Sequence, residues 1–329
     1  MGGPMKARAI ARANIALAKY WGKSDDALNL PAVPSVSLTL DPLVTETIVE
    51  LDGSLDADAF VLDGEPAKAG ETKRVQALLD EVRAVAGVET RARVTSLNRF
   101  PTAAGLASSA SGFAALAGAA SAAYGLDEPL EVLSARARRA SASAARSVFG
   151  GIVELPSGTP GDDGVTARPI AGADHWDLRV IVAITASGRK SIGSRDAMGE
   201  SRRSSPYYAA WVEHAHRSTP QIVEALLAKD FAALAPLVEQ SFLAMHAVGM
   251  AGIPSVLYWQ SGSVAALRAI QHLRADGLSV CATMDAGPHV KAVCTAADAP
   301  AVRAALAATD GVLDTLEARI GPGLEVTRG

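Results

Sequence analysis

Asn98-Arg-Phe-Pro-Thr-Ala-Ala-Gly-Leu-Ala-Ser-Ser-Ala-Ser-Gly-Phe-Ala-Ala115 is the stretch from which the rest of the chain can be read. A proline turn and Gly105 lead into a helix whose first turn carries only small residues and serines. The first backbone N–H groups of a helix lack an internal partner and lie at the positive end of its dipole. Side chains as small as Ala104, Gly105, Ala107 and Ser108 leave those donors uncovered, so an anion can reach the backbone itself. Ser108, Ser109 and Ser111 add hydroxyls at the same place. The loop is not of the Gly-Lys-Ser/Thr type. Two readings stand: a phosphate cradle, or a buried helix whose small residues allow close packing.

The chain's 329 residues suffice for two domains or one large one, and 49% hydrophobic with 20% charged residues is a globular composition. A net charge of −4 speaks against non-specific nucleic-acid binding. The charge-free run from Phe100 to Leu126 is long enough to span a bilayer. Its glycines, proline and serines make it a helix buried in protein instead, and no membrane partner is expected. Met1 to Ala11 has no apolar signal core, so the expected location is cytoplasmic. Cys281 and Cys294 read as free core thiols.

Around the opening stretch the pattern alternates between strand and helix. Lys6 to Ala11, Ser35 to Leu40, Thr45 to Leu51, Ala59 to Leu62 and Arg91 to Leu97 read as strands, with Asp63-Gly64 as a hairpin turn. Val75, Leu78, Leu79, Val82 and Val85 share one helical face. A second helix is expected from Asp127 to Ala140, capped by Asp127, then strands Ile152 to Leu155 and Leu178 to Ala186. Beyond a boundary near residue 187 come helices Pro220 to Ala228, Phe231 to Val248 and Ser263 to Arg274. Strands Leu278 to Met284 and His289 to Cys294, helix Pro300 to Ala308 and a strand near Leu324 to Thr327 complete an α+β layer structure.

Several polar constellations lie between these elements. Lys19-Tyr20-Trp21-Gly22-Lys23 sets two lysines around an aromatic pair, as either a solvated face or an anion pocket. Gly22-Lys23-Ser24 ends like a phosphate loop, but Leu17 stands where that motif needs glycine. Ser143, Arg146 and Ser147 share a helical face just after Ser141. Hydroxyls around a guanidinium suit a carboxylate or phosphate, whose oxygens the planar fork takes in pairs; the alternative is an exposed arginine at a helix end. Gly150-Gly151 points to a close backbone approach. Arg189, Lys190, Ser194 and Arg195 form a second basic loop. Asp285, at the exit of an apolar strand, is either a turn residue bonding its own backbone or the lone acid among converging cations, placed as a general base or metal partner. The six histidines are scattered and read as core or surface residues.

Pro101-Thr-Ala-Ala-Gly-Leu-Ala-Ser-Ser-Ala110 resembles the Pro-x-x-x-Gly-Leu-x-Ser-Ser-Ala loop of the GHMP small-molecule kinases. Within that superfamily, Ala13 to Lys23, Asn98 to Gly112, Ser141 to Gly151 and Met284 to Pro288 resemble the mevalonate diphosphate decarboxylases, in family order. The resemblance implies a GHMP kinase-like α+β fold of two domains. One is a ribosomal-protein-type nucleotide-binding domain, 1–187; the other is a ferredoxin-like substrate domain, 188–329; the active site lies in the cleft between them. It implies ATP and Mg²⁺ as cofactors, 5-diphosphomevalonate as substrate and a homodimer.

By the same resemblance, Asp285 is the catalytic carboxylate beside the 3-hydroxyl, Arg146 grips the substrate carboxylate, and Lys19 lies at the same centre. Tyr20, Trp21, Gly22, Lys23, Arg74, Ser141, Ser143, Ser194 and Arg195 hold the substrate. Asn98, Ala104, Gly105, Leu106, Ala107, Ser108, Ser109 and Lys190 hold ATP. Mg²⁺ is carried by the nucleotide phosphates, with Ser109 beside it and no dedicated protein ligand set. Gly193 for a serine and His289 for an asparagine depart from the family pattern. Rival readings are a decarboxylase of mevalonate 5-phosphate, a mevalonate 3-kinase, a homoserine or sugar kinase, and an inactive ATP-binding regulator; the presence of Asp285 and Arg146 speaks against the last.

Overall fold

The computed structural model describes residues 5–67, 69–100, 108–188 and 192–329. The first half runs β1 (Lys6–Ala18), β2 (Lys23–Asp25), β3 (Leu30–Pro31), β4 (Ser35–Leu51), β5 (Ala59–Leu62), β6 (Glu65–Pro66) and α1 (Ala69–Ala86). β7 (Ala92–Asn98), α2 (Ser108–Ala123), α3 (Leu130–Ala140), α4 (Ala144–Ser147), β8 (Ile152–Leu155) and β9 (Arg168–Ala171) follow. The second half runs β10 (Leu178–Ile184), α5 (Ser194–Ser204), α6 (Tyr208–Ala228), α7 (Phe231–Met250) and α8 (Ser261–Ala275). It ends with β11 (Val280–Thr283), β12 (Val290–Thr295), α9 (Ala299–Ala307), β13 (Asp314–Ile320) and β14 (Glu325–Arg328).

The architecture is the expected α+β type, with one continuous sheet through both halves. β4 is its spine. β1 pairs with one edge of β4, while the other edge is shared by β8 at Ser35–Leu38, β13 at Leu40 and Asp41, and β7 at Thr45–Leu51. The strand at 178–184, on the N-terminal side of the expected boundary at 187, is hydrogen-bonded between β12 and β13. β14 returns to pair with β1. Antiparallel strands pair by complementary faces rather than by closeness along the chain, so the two halves interlock.

Three local expectations change. The first strand continues past Ala11 to Ala18, because a strand covered on both faces loses its polar alternation. A β-bulge between Arg12 and Ala13 moves successive odd residues from one core to the other. Ala7, Ala9 and Ala11 pack with α2, whereas Ala13, Ile15 and Leu17 pack against α6 and α7. α3 begins at Leu130, after Pro129, since the residue before a proline avoids helical backbone; Asp127 pairs with Arg328 instead. α6 starts at Tyr208 and runs through Pro220, where burial of Trp211, Ala215, Ile222 and Leu226 outweighs a cost of about 3 kcal/mol.

α2 is buried over most of its length. At Gly118 a Cβ would press on Leu324 and Val326 of the C-terminal segment, so close packing explains the body of this helix. Gly150 likewise makes room for the backbone of Pro322 and Gly323, so the close approach signalled by Gly150-Gly151 is to the chain itself. Cys281 and Cys294 are free, buried thiols on β11 and β12.

Candidate active site

The bulge in β1 has a chemical consequence. It turns Asn14 toward α4, where its amide donates to the Ser143 carbonyl at 3.0 Å and to Ser147 Oγ at 2.8 Å. The Asn14 carbonyl oxygen accepts from Arg146 at 3.3 Å. Arg146 also donates to Ser37 Oγ at 2.9 Å and Ser35 Oγ at 2.5 Å, both on β4. These are neutral acceptors. No ion pair joins Arg146 to a carboxylate among the described residues, although it is only 2% exposed. Burial lowers its pKa to about 10, and Asp285 offsets this only in part.

Lys19 leaves the end of β1 with its backbone N–H on Ser241 Oγ of α7 at 3.0 Å. Its ammonium donates to Asp285 Oδ1 at 2.7 Å. Burial brings Lys19 down to about 8 despite that partner. Burial alone would raise the Asp285 carboxyl, but Lys19, Lys291 and Arg146 together hold it below the usual range. Asp285 retains 27% side-chain exposure against 1% for Lys19, so the carboxylate is the member that a ligand can reach. The three residues expected at one centre are thus brought together.

The sequence reading missed several neighbours. Lys291 on β12 stands 3.9 Å from Asp285 Oδ2. Its signal was a lysine in an otherwise buried apolar strand. Ser35 and Ser37 were passed over as strand polarity, and Asn14, in the polar run beyond the expected first strand, was not singled out. His246 of α7, 3% exposed, packs against Phe242, Tyr258 and Trp259. Burial, then Lys19, lowers its pKa to about 4, so the ring is neutral near pH 7. His289 is buried too. Its Nδ1 accepts from the Thr185 N–H at 3.0 Å, and Thr185 and Ser263 donate to the Pro288 carbonyl, which pins the turn after Asp285.

A second cationic group lies beside this centre. Lys23 is buried; that burial, and next Arg195, lower its pKa. Arg195 stands exposed in the first turn of α5 after Ser194, and its charge also bears on Tyr20 and Arg74. The Tyr20 and Tyr208 hydroxyls are buried with no hydrogen-bond partner among the described residues. Gly22 has φ +108°, and a Cβ there would collide with the Tyr208 hydroxyl. Ser141 and Ser143 face each other at 3.3 Å. Trp21 is 2% exposed and packs with Val33, Ala197, Met198 and Trp211, taking the Trp211 indole N–H on its carbonyl. It supports the turn from within the core.

At the start of α2, Ser108 and Ser109 line a cleft with Asn98, Arg74, Phe60 and Phe113. The Arg74 guanidinium lies 4.7 Å above the Phe113 ring, a cation–π contact. Asn98 is anchored by Asp63, which accepts from its backbone N–H at 2.8 Å. Ser111 faces inward to Thr45 Oγ1 at 2.6 Å and is fully buried, so it is not one of the hydroxyls offered at the helix mouth. Ala104, Gly105, Leu106, Ala107 and Lys190, with Arg189, lie outside the described residues. No cluster of three His, Cys, Asp or Glu side chains suited to a metal occurs among the described residues.

Comparison with known proteins decides the family. Residues 11–166 match the model of the diphosphomevalonate decarboxylase-like N-terminal domain, and residues 180–318 that of the mevalonate 5-diphosphate decarboxylase C-terminal domain. The chain belongs to the diphosphomevalonate decarboxylase family. A diphosphomevalonate decarboxylase of Aspergillus fumigatus is 34% identical over 97% of this chain and 82% of its own. A phosphomevalonate decarboxylase of Haloferax volcanii is 35% identical, with 82% of each chain covered. Among decarboxylase-family structures, the protein designated MDDEF, solved with MVAPP, AMPPCP and magnesium, superposes with a TM-score of 0.92. It is 37% identical and covered over 99% of both chains.

Proposed function

We propose that this protein catalyses the ATP-dependent decarboxylation of 5-diphosphomevalonate to isopentenyl diphosphate, with release of ADP, phosphate and CO₂. The observation that carries the reading is the buried Arg146, held among the described residues by neutral acceptors alone, beside the partly open carboxylate of Asp285. A substrate carboxylate would complete that guanidinium, and the 3-hydroxyl would then fall near Asp285 and Lys19. Lys23, Arg195, Tyr20, Ser141, Ser143 and Ser194 suit the diphosphate, with two buried phenols and two cations offering donors. Gly22 lets the backbone pass the Tyr208 hydroxyl, and Trp21 supports that turn.

The cleft at the start of α2 suits ATP, with apolar walls for the base and hydroxyls toward the phosphates; Arg74 bridges it to the substrate side. Ala104 to Ala107 and Lys190 complete that set by resemblance. Ser109 would lie beside Mg²⁺ carried by the nucleotide phosphates, which would supply charge neutralisation during phosphoryl transfer. A tertiary alcohol is a poor nucleophile, and phosphorylation turns it into a good leaving group. As phosphate departs, positive charge grows at the tertiary carbon, and the fixed negative charge of Asp285 stabilises it. Arg146 orients the substrate carboxylate, whose electrons form the alkene as CO₂ leaves.

The test is a substrate panel with ATP and Mg²⁺, reading CO₂, ADP and phosphate. Equal yields from the diphosphate support the proposal. ADP without CO₂ would make the protein a 3-kinase. The likeness to the Haloferax protein supports a second reading, preference for the monophosphate, which the same panel separates. A cytoplasmic homodimer, without membrane or nucleic-acid partners, rests on the family resemblance and the net charge of −4. Light scattering of the purified protein tests the dimer.

A further inference from the structure

Lys291 belongs to none of the motifs that carry the family resemblance, yet it is among the most deeply buried cations of the molecule. It sits on β12 opposite Thr283 of β11, between Val290 and Ala292, and is 3% exposed. Desolvating an ammonium is costly unless an anion and hydrogen bonds compensate it. A lysine in such a strand therefore implies a charge to meet. That charge is Asp285: the ammonium stands 3.9 Å from Oδ2, the oxygen left open by Lys19, which holds Oδ1 at 2.7 Å. The ammonium also donates to the His289 carbonyl at 3.4 Å. Asp285 is thus faced by Lys19 from the end of β1, Lys291 from β12 and Arg146 from α4, with His246 approaching from α7.

We propose that Lys291 is a positioning residue of the reaction: by facing Oδ2 while Lys19 holds Oδ1, it fixes the plane of the Asp285 carboxylate and keeps that carboxylate ionised. The inference rests on the reading of Asp285 as the reacting carboxylate. With Lys19 on one oxygen and Lys291 3.9 Å from the other, Asp285 is a weak base and an electrostatically held negative charge. That combination suits stabilisation of a developing cation better than proton removal.

The test compares the unaltered protein with Lys291→Met and Lys291→Arg in kcat/KM against pH. Lys291→Met is expected to lower kcat about 10- to 100-fold while KM for both substrates stays within about threefold. Its acid limb should move up by about one pH unit or more, because Asp285 loses a cation that favours its charged form. Lys291→Arg should keep the limb in place. An unmoved limb in Lys291→Met, or a limb moved as far in Lys291→Arg, would overturn the proposal; so would disappearance of the limb in His246→Gln. Should Lys291→Met fail to fold by circular dichroism, Lys291→Gln, which also removes the charge, takes its place under the same criterion. Failure of the functional reading shows separately, as no CO₂ from the unaltered protein. Carbon-13 NMR of aspartate-labelled protein then follows the Asp285 titration directly, and Lys291→Met must still raise it.

Discussion

Arg138 at the end of α3 and Arg146 in α4 are both buried, at 0% and 2% exposure, and eight residues apart they have opposite surroundings. Arg138 donates to the Leu28 carbonyl at 2.6 Å and to the backbone and side chain of Asp163 at 2.9 and 2.6 Å. Its neighbours Arg136 and Arg139 share Glu81, and Arg136 also pairs with Glu128. This group ties α3 to α1 and to the loops at Leu28 and Asp163, with its charges matched by carboxylates. Arg146 has two hydroxyls and an amide. Arg138 has its charge met by Asp163 as folded, although its Nε finds no hydrogen-bond partner among the described residues; a buried cation with neutral acceptors alone keeps an unmet electrostatic demand that a ligand can answer. The difference separates a residue that holds the fold from one that awaits a substrate.

The largest effect should come from removing the carboxylate beside Arg146. Asp285→Ala is expected to lower turnover at least about 1000-fold while nucleotide affinity stays within about threefold. CO₂ release and calorimetric titration measure the two, and near-native turnover would remove Asp285 from the mechanism.

The arginine pair can be set against each other next. Arg146→Met should cut kcat/KM by about 100-fold or more and leave the melting temperature unchanged or raised, since it removes a desolvated, unpaired charge. Arg138→Met should do the reverse. It strands two backbone carbonyls and an Asp163 partner, costing about 2–3 kcal/mol in denaturant unfolding, with activity per folded molecule nearly intact. If Arg138→Met kept full stability, or if Arg146→Met unfolded the protein, the contrast would collapse.

The smallest effect is one of pH. Lys19 is lowered to about 8, so it loses its proton well before an ordinary lysine would, and kcat/KM should fall as pH rises through that value. Lys19→Arg, which keeps its charge, should move this basic limb upward even if its rate is lower. A basic limb unmoved in that variant would assign the titration to another group.

Much of this contrast was legible before folding, but unevenly. Arg146 stood out through its serines and Asp285 through its place at a strand exit. Arg138 and Arg139 lay unremarked in the helix expected up to Ala140, and nothing local marks Asp163 as their partner. Trp21 drew notice beside two lysines, yet its ring faces the core. Ser35 and Ser37 looked like ordinary strand polarity, and Asn14 fell beyond the expected end of the first strand, because the bulge that aims Asn14 at α4 shows only in the pairing of β1 with β4. The expected division at 187 met the same obstacle, since the partners of β10 lie more than 100 residues downstream.

The sequence by itself determined which chemical groups are available: the small-residue helix mouth, the cationic runs, the acid at position 285 after an apolar strand, and the alternation of strand and helix. These depend on residue type and near spacing, which local physics reads. The tertiary structure alone decided which charges are answered within the protein and which are left for a ligand. That depends on partners drawn from distant strands and on how far each group is taken from water, and neither is written in any one stretch of chain.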